Sequence, residues 1–361
     1  MTRQSSLWSV NGEGFAEGQG SVKGGDLLKA DPAASQRWAP AKPTVVFDTY
    51  WQFAAERQRI FFNRLRGASP PWTDDPILRQ YRFTNTYRIL DRVSQFLVRK
   101  VIYSGPREPV EVFFRTILFK LFNKTETWQL LSEELGEVTW AGYAFNAYNK
   151  ILTRALQRGQ RIYSAAYMMP SGRNEFGHAK KHRNHLRLVE QMMGEDLPLR
   201  LAEARSMREA FELLKTYPTI GDFLAYQFAT DINYGELTNF SEMEFVVPGP
   251  GARDGIHKCF RDLGGLNEAE LIKRVADRQE EEFRLRGIDF PSLLGRPLQL
   301  IDCQNLFCEV DKYARAAYPD VRGLSGRTRI KQAFRPNSDP VEYWFPPKWR
   351  LNGRLKELAY G

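Results

Sequence analysis

A mainly α fold with little β is what this sequence predicts, and three observations carry that reading. Apolar residues recur with helical period through most of the chain beyond Pro43. Turn-forming clusters such as Ser69-Pro70-Pro71, Ser104-Gly105-Pro106, Pro170-Ser171-Gly172, Pro248-Gly249-Pro250-Gly251 and Phe345-Pro346-Pro347 fall between the periodic segments. Strand-like pieces are few, Arg161–Tyr167 and Glu244–Val247 being the best. In chain order the spacing predicts helices over Thr49–Arg66, Thr86–Tyr103, Val110–Phe122, Thr125–Leu135, Trp140–Arg158, Ala179–Met193, Ser206–Lys215, Ile220–Tyr234, Glu268–Arg286 and Leu298–Ala317. Residues 1–42, rich in Gly, Ser, Ala and Pro, read as a flexible extension, and 43–361 as one helical domain or two lobes around a cleft.

The chain has 361 residues, 42% of them hydrophobic, which is ample for a folded core. No apolar run approaches the roughly 20 residues of a membrane span, and neither a secretory signal nor a transit peptide is legible, so no membrane is expected and a cytoplasmic location is. Lysines and arginines exceed acidic residues by nine, which suits a polyanionic partner, nucleic acid foremost. Cys259, Cys303 and Cys308 form no CxxC pair, an argument against a disulfide framework or a cysteine-rich zinc module. No GxxxxGK[ST] loop is present, and Gly249-Pro250-Gly251 lacks the βαβ context of a dinucleotide fingerprint.

Five stretches can carry chemistry. In Tyr50–Phe61, aromatics (Tyr50, Trp51) alternate with arginines (Arg57, Arg59), so the segment can stack on bases and hold phosphates, or be an amphipathic helix with its aromatics in the core. On a helix starting near Thr86, Asn85, Arg88, Asp91 and Arg92 would form a polar arc beside the core, able to read a base or a phosphate, or to form i, i+3 ion pairs. Phe211–Phe228 resembles a helix-hairpin-helix with Gly221 at the second helix, although Thr219 stands where that hairpin usually has its first glycine. Beyond it lie the carboxylates Glu242 and Glu244, then a Gly-Pro-Gly turn in which Gly251 can form an anion nest or plain turn geometry. Finally, a helix over Leu298–Tyr313 places Asp302, Asn305, Glu309 and Lys312 on one face, with Asp311 pointing away; Glu309 is the better acid/base candidate, against a solvated ion-pair network. His178, His182 and His185 sit among lysines and arginines and read as a basic nucleic-acid face ahead of a zinc site, and Arg322, Arg327, Arg329, Lys331 and Arg335 form a second basic run.

Taken together, YWQFAAERQRIFF, PWTDDPIL, FTNTYRILDR, ATDINY, VVPGPGARDGI and QNLFCEVDKY over about residues 44–316 resemble the family named for α-glutamyl/putrescinyl thymine pyrophosphorylases and the helical domain of 5-hydroxymethyluracil DNA kinases. The resemblance implies a DNA-glycosylase-like helical fold acting on hypermodified bases of phage DNA without a cofactor or metal. It carries over the Asn85, Arg88, Asp91 row and the Asn305, Glu309, Lys312 face. Within it, the missing phosphate loop favours excision of a bulky modified pyrimidine, such as glucosylated hydroxymethylcytosine, by an antiphage DNA glycosylase. On this reading Glu309, Asp91 and Glu242 are the catalytic carboxylates and Asn85, Arg88, Asn305, Lys312, Arg57, Tyr50 and Trp51 hold base and phosphate, while Gly221, Gly251, Arg327 and Arg329 meet the DNA backbone. The alternatives are transfer of an amino acid or polyamine to pyrophosphoryloxymethyluracil in DNA, and a non-catalytic DNA-binding module.

Overall fold

A computed structural model describes residues 36–166, 168–337 and 341–360, with the side chains of 359 and 360 excepted. The extension expected over 1–42 therefore lies largely outside the described residues. Of its described end, Trp38 is fully buried, edge-on to Phe47, and donates from Nε1 to Glu282 (3.0 Å), so packed structure reaches back beyond Pro43.

The elements run as follows. Strand β1 (Lys42–Pro43) leads into α1 (Val45–Leu65) and α2 (Pro76–Gln80). Then come α3 (Arg92–Phe96), which continues as a π-helix over Leu97–Ile102, α4 (Pro109–Phe122), α5 (Thr125–Leu135), α6 (Phe145–Gln157), α7 (Arg173–Phe176), α8 (Lys181–Gly194), α9 (Leu197–Glu203), α10 (Met207–Lys215) and α11 (Asp222–Ile232). The chain goes on through α12 (Pro250–Cys259), β2 (Phe260–Asp262), α13 (Glu268–Asp277), α14 (Gln279–Leu285) and α15 (Leu300–Ala317). The chain divides into a first unit, Met1–Arg88 with Pro248–Pro340 and Lys356–Gly361, and a second, Ile89–Val247 with Val341–Leu355.

In the first unit α1 starts where Thr44 caps it: the hydroxyl accepts from Val46 N (3.2 Å) and donates to the Lys258 carbonyl (2.6 Å), pinning the helix to the end of α12. Its predicted aromatic face is core, since Phe47, Tyr50, Trp51 and Phe53 are all fully buried. Stacking of Tyr50 and Trp51 on a base is thereby corrected: Tyr50 donates to the Cys303 carbonyl and Trp51 packs edge-on to Phe283. Helix α12 crosses α15 closely, because glycines stand at the contact: a Cβ on Gly251 would collide with Cys308 Sγ and one on Gly255 with the Phe307 carbonyl. Close helix packing accounts for Gly251 where an anion nest was expected. Strands β1 and β2 pair antiparallel, Pro43 opposite Phe260.

The ends of α15 and α2 are also capped by side chains. Asp302 accepts from Gln299 N (3.0 Å) in a capping box and from Arg88 N (2.8 Å), while Asp75 accepts from Ile77 N and Leu78 N and from the Tyr313 hydroxyl (2.8 Å). Asp311, expected to point away from the face of Asn305, Glu309 and Lys312, is only 1% exposed and pairs with Lys258 (2.9 Å) and Arg315. The helical wheel separated it from Glu309 but could not show that α12 covers that side.

In the second unit the core lies on α4, whose residues Phe113 to Phe122 are all buried, with Lys120 paired to Asp231 of α11 at 3.0 Å. The helix expected over Thr86–Tyr103 is broken: Arg88–Leu90 is 3-10, Asp91 precedes α3 in extended backbone, and Arg88 is buried. The continuous polar arc of Asn85, Arg88, Asp91 and Arg92 therefore does not form. The segment expected as one helix over Glu268–Arg286 is interrupted between Asp277 and Gln279. Glu244–Val247 and the described part of Arg161–Tyr167 are loop, not strand.

Candidate functional site

The most concentrated set of polar side chains from the sequence analysis gathers in the first unit, where the loop Phe83-Thr84-Asn85 meets α1 and α15. Arg57 donates from Nε to the Thr84 carbonyl (2.9 Å) and from Nη2 to Asn85 Oδ1 (3.1 Å). Glu309 accepts from Thr84 N (3.0 Å) and pairs with Lys312 (2.7 Å), with both partners on Oε2. The Lys312 ammonium also lies 4.5 Å above the Phe83 ring. Asn305 stands one turn before Glu309, half-buried, on the same helix. Five of the expected residues, Arg57, Asn85, Asn305, Glu309 and Lys312, thus belong to one structural neighbourhood built on two helices and a clamped loop.

Its chemistry follows from the groups. Asn85 and Asn305 offer planar amides with donor and acceptor edges, Arg57 and Lys312 positive charge, and Glu309 a carboxylate whose side chain is 11% exposed. On the preceding residue, burial first and then the Glu309 charge push the Cys308 thiol up to about 12, which keeps it protonated.

A basic strap over 322–335 is fastened beside this loop. Ser325 N donates to Asp254 Oδ1 (2.8 Å), the Ser325 hydroxyl bonds Asp254 Oδ2, and Arg327 pairs with the same oxygen at 2.7 Å. Burial would raise the Asp254 carboxyl, but the hydrogen bonds from Ser325 and Arg327 outweigh it and hold it below its ordinary value. Further on, Arg315 donates to the Arg329 carbonyl (3.0 Å), Arg82 N to the Gln332 carbonyl (3.0 Å) and Phe334 N to the Gln80 carbonyl (2.9 Å). Arg327 is therefore partly a structural clamp, whereas the side chains of Arg329 and Lys331 are exposed. Nothing in the composition foretold Asp254 as their anchor, although the run of five cations without a carboxylate signalled that a counter-charge had to come from elsewhere.

The remaining expected residues lie in the second unit. Asp91 precedes α3, and Glu242 is half-buried in a turn. The segment expected as a helix-hairpin-helix forms α10, a turn and α11, with Thr219 at φ +69°, in the left-handed region that glycine adopts without strain. Gly221 caps α11, but Asp222 occupies the first helical position and pairs with Lys215 (2.9 Å), placing negative charge where a phosphate would dock. The phosphate-docking role of Gly221 is corrected on that ground. His182 and His185, expected on a nucleic-acid face, are buried. His182 Nε2 meets Thr153 and Asn149 (3.1 Å each), and His185 links Tyr163 to the Pro170 carbonyl. Desolvation pushes each imidazole down to about 4, so both are neutral at pH 7. Among the described residues no group of three or more His, Cys, Asp or Glu side chains is arranged to hold a metal ion, and no helix is long and apolar enough to cross a membrane.

Comparison with known proteins sets this geometry in context. The family described as "5-hmdU DNA kinase, helical domain" matches residues 44–323. A curated relative, the 5-hmdU DNA kinase of Bacillus phage SP10, is 26% identical over 357 residues, covering 92% of this chain and 52% of its own length. The chain thus spans about half the length of that relative. No solved structure matches. The relative is named as a DNA kinase, and this overturns the expected DNA glycosylase, with its excision of a base by hydrolysis and the antiphage role attached to it. The mainly helical fold and the match over 44–323 agree, and the chain belongs to the family of the 5-hmdU DNA kinase helical domain.

Proposed function

We propose that this chain acts in thymine hypermodification, recognising a 5-hmdU-derived pyrimidine in DNA and taking part in group transfer at its exocyclic carbon. The observation that carries the reading is the Arg57, Asn85, Glu309, Lys312 constellation lying within the stretch that matches a DNA kinase family. The sequence has no GxxxxGK[ST] stretch of the kind with which P-loop enzymes cradle the phosphates of a nucleoside triphosphate. The set fits a later step better: an amine attacks the exocyclic CH₂ of a pyrophosphorylated base, the C–N bond forms as the C–O bond breaks, and pyrophosphate leaves with the bonding pair. In that step Asn85 reads the pyrimidine edge, Arg57 and Lys312 balance the charge of the leaving group, and Glu309 takes the proton shed by the amine.

The test uses duplex DNA bearing 5-hmdU, its phosphate or its pyrophosphate, each incubated with the chain and amino acids or polyamines, and with ATP in parallel. The expected result is pyrophosphate release and an amine-substituted base by mass spectrometry from the pyrophosphorylated DNA alone. Transfer of phosphate from ATP to 5-hmdU would assign this chain the kinase step and overturn the amine-transfer reading. Equal, inert binding of all three DNAs would reduce it to a DNA-binding module.

A further inference from the structure

The net charge of this protein is not spread evenly. Between Glu137 and Glu190 lie nine lysines and arginines and a single carboxylate, Glu175, a net +8 beside +9 for the whole chain. The stretch comprises α6, the loop after it, α7 and the start of α8, all in the second unit. The helices are neighbours: Arg183 of α8 donates to Asn149 Oδ1 of α6 (2.9 Å), Arg187 of α8 lies 3.7 Å over the Phe145 ring, and the His178 ring stacks on that same ring.

The loop between them is held firmly. Asn184 donates to the carbonyls of Ser171 (2.8 Å) and His178 (2.9 Å) and accepts from His178 N, His185 bonds the Pro170 carbonyl (2.8 Å), and Thr127 donates to the Ile162 carbonyl (2.8 Å). Buried side chains thus fix the backbone on which the cations stand. Among the described residues Arg154 pairs with Glu134 and Arg187 with Glu190, whereas Lys150, Arg161, Arg173, Lys180 and Lys181 have no carboxylate within ion-pair reach. Lys181 is half-buried against the Tyr163 ring (4.4 Å), and burial pulls its ammonium below the ordinary value for want of a counter-charge.

We infer that this α6–α8 face is a second polyanion-binding surface, one that holds the phosphate backbone of DNA without regard to sequence or base modification. A rigid array of unpaired cations next to cation-stacked aromatics has the chemistry of backbone positioning. Among the exposed residues between the cations, Asn146, Gln157, Gln160 and Asn174 are polar donors suited to phosphate oxygens, and Leu156 and Met168 are the large apolar side chains that share their exposure. The inference rests on DNA being the substrate, and its test separates the two.

The experiment compares the full chain with the triple variant Lys150→Ala, Arg161→Ala, Lys180→Ala, three exposed positions, and with a control, Lys273→Ala with Arg284→Ala, exposed in the first unit. Binding to thymine-containing and 5-hmdU-containing duplexes is measured against salt. The triple variant should bind both duplexes more weakly by the same factor, its log–log salt slope shallower by roughly 2 to 3, near 0.9 per lost phosphate contact. The control should keep the parental slope. A folded triple variant with unchanged slope and affinity overturns the inference, as does tighter binding of the parent to phosphatidylserine vesicles than to duplex. Failure of the amine-transfer reading would show instead as absent pyrophosphate release with this salt response intact.

Discussion

Each unit of this protein encloses a lysine–aspartate pair, and the two differ in what they hold. In the first unit Asp311 is shared by Lys258 and Arg315, Lys258 also donates to the Asp311 carbonyl (3.1 Å), and Arg315 passes on to the Arg329 carbonyl, so the pair is the root of the basic strap. In the second unit Lys120 joins Asp231 across α4 and α11 and donates to Asn123 Oδ1 (2.9 Å), which ties helix to helix and to the left-handed residue that ends α4. One pair braces a functional neighbourhood; the other braces a core. Desolvation makes either pair a weak source of net stability, but removing one partner leaves the other charged and buried.

The sharpest way to break the comparison is to neutralise each aspartate. Asp311→Asn and Asp231→Asn should each cost about 3–5 kcal/mol in urea unfolding. Only Asp311→Asn should also speed protease cleavage within 322–335, because only that carboxylate is linked to the strap. If Asp311→Asn proves too unstable to assay, the double change Lys258→Met with Asp311→Leu should recover most of the stability and still release Arg315. Equal cleavage in both single variants would erase the distinction.

Glycines sharpen the same contrast at smaller scale. Gly255→Ala drives a methyl into the Phe307 carbonyl where α12 crosses α15, and should cost about 1–3 kcal/mol. Gly194→Ala, at the end of α8 with open space around it, should be neutral or stabilise by up to about 1 kcal/mol. Thermal unfolding of the pair tests this directly.

Acid should separate the units next, since the buried histidines among the described residues, His182 and His185, both belong to the second. The folded value of His185, about 4, lies below its ordinary 6.5. Its contribution is therefore complete above pH 6.5 and is lost as pH falls from 6.5 towards 4. Between pH 7 and pH 5 the loss should be about 2 kcal/mol, and His185→Gln should flatten that part of the pH–stability curve. A curve unaltered by His185→Gln would contradict the neutral, buried assignment.

The smallest expected change in stability is at Glu309. The carboxylate is mostly buried, but the amide of Glu309→Gln keeps an acceptor for Thr84 N and the Lys312 ammonium retains some access to water, so the change should cost about 1 kcal/mol. If Glu309 takes the amine's proton, pyrophosphate release should nevertheless fall roughly 10²-fold with DNA affinity kept. Full activity in the folded variant would remove Glu309 from the proposed chemistry.

Much of the local structure was legible in the chain. Thr125–Leu135 forms as the apolar period predicts, and α10 and α15 differ from expectation by one or two residues, because helical spacing and capping residues act over a few positions. The short helices α2, α7 and α9 were missed, since four to seven residues are too few to display a period. Of the site, the face of Asn305, Glu309 and Lys312 was readable from the heptad-like spacing of α15. Its partners Arg57 and Thr84 were not linked to it, because contacts over 225 residues leave no local signal.

What the sequence by itself determined, then, is the helical class, the sign and clustering of charge, and the candidate face of α15. Only the tertiary structure decided which of the neighbouring carboxylates Glu309 and Asp311 meets the buried Lys258. Glu309 and Asp311 are two residues apart with the same chemistry, and which one ends against Lys258 depends on the side covered by α12. Likewise the aromatics of α1 could stack on bases or fill a core, and packing against α15 and α14 filled the core with them. Helix propensity and capping are properties of neighbouring residues, whereas burial belongs to surfaces that meet only after the chain has folded back on itself.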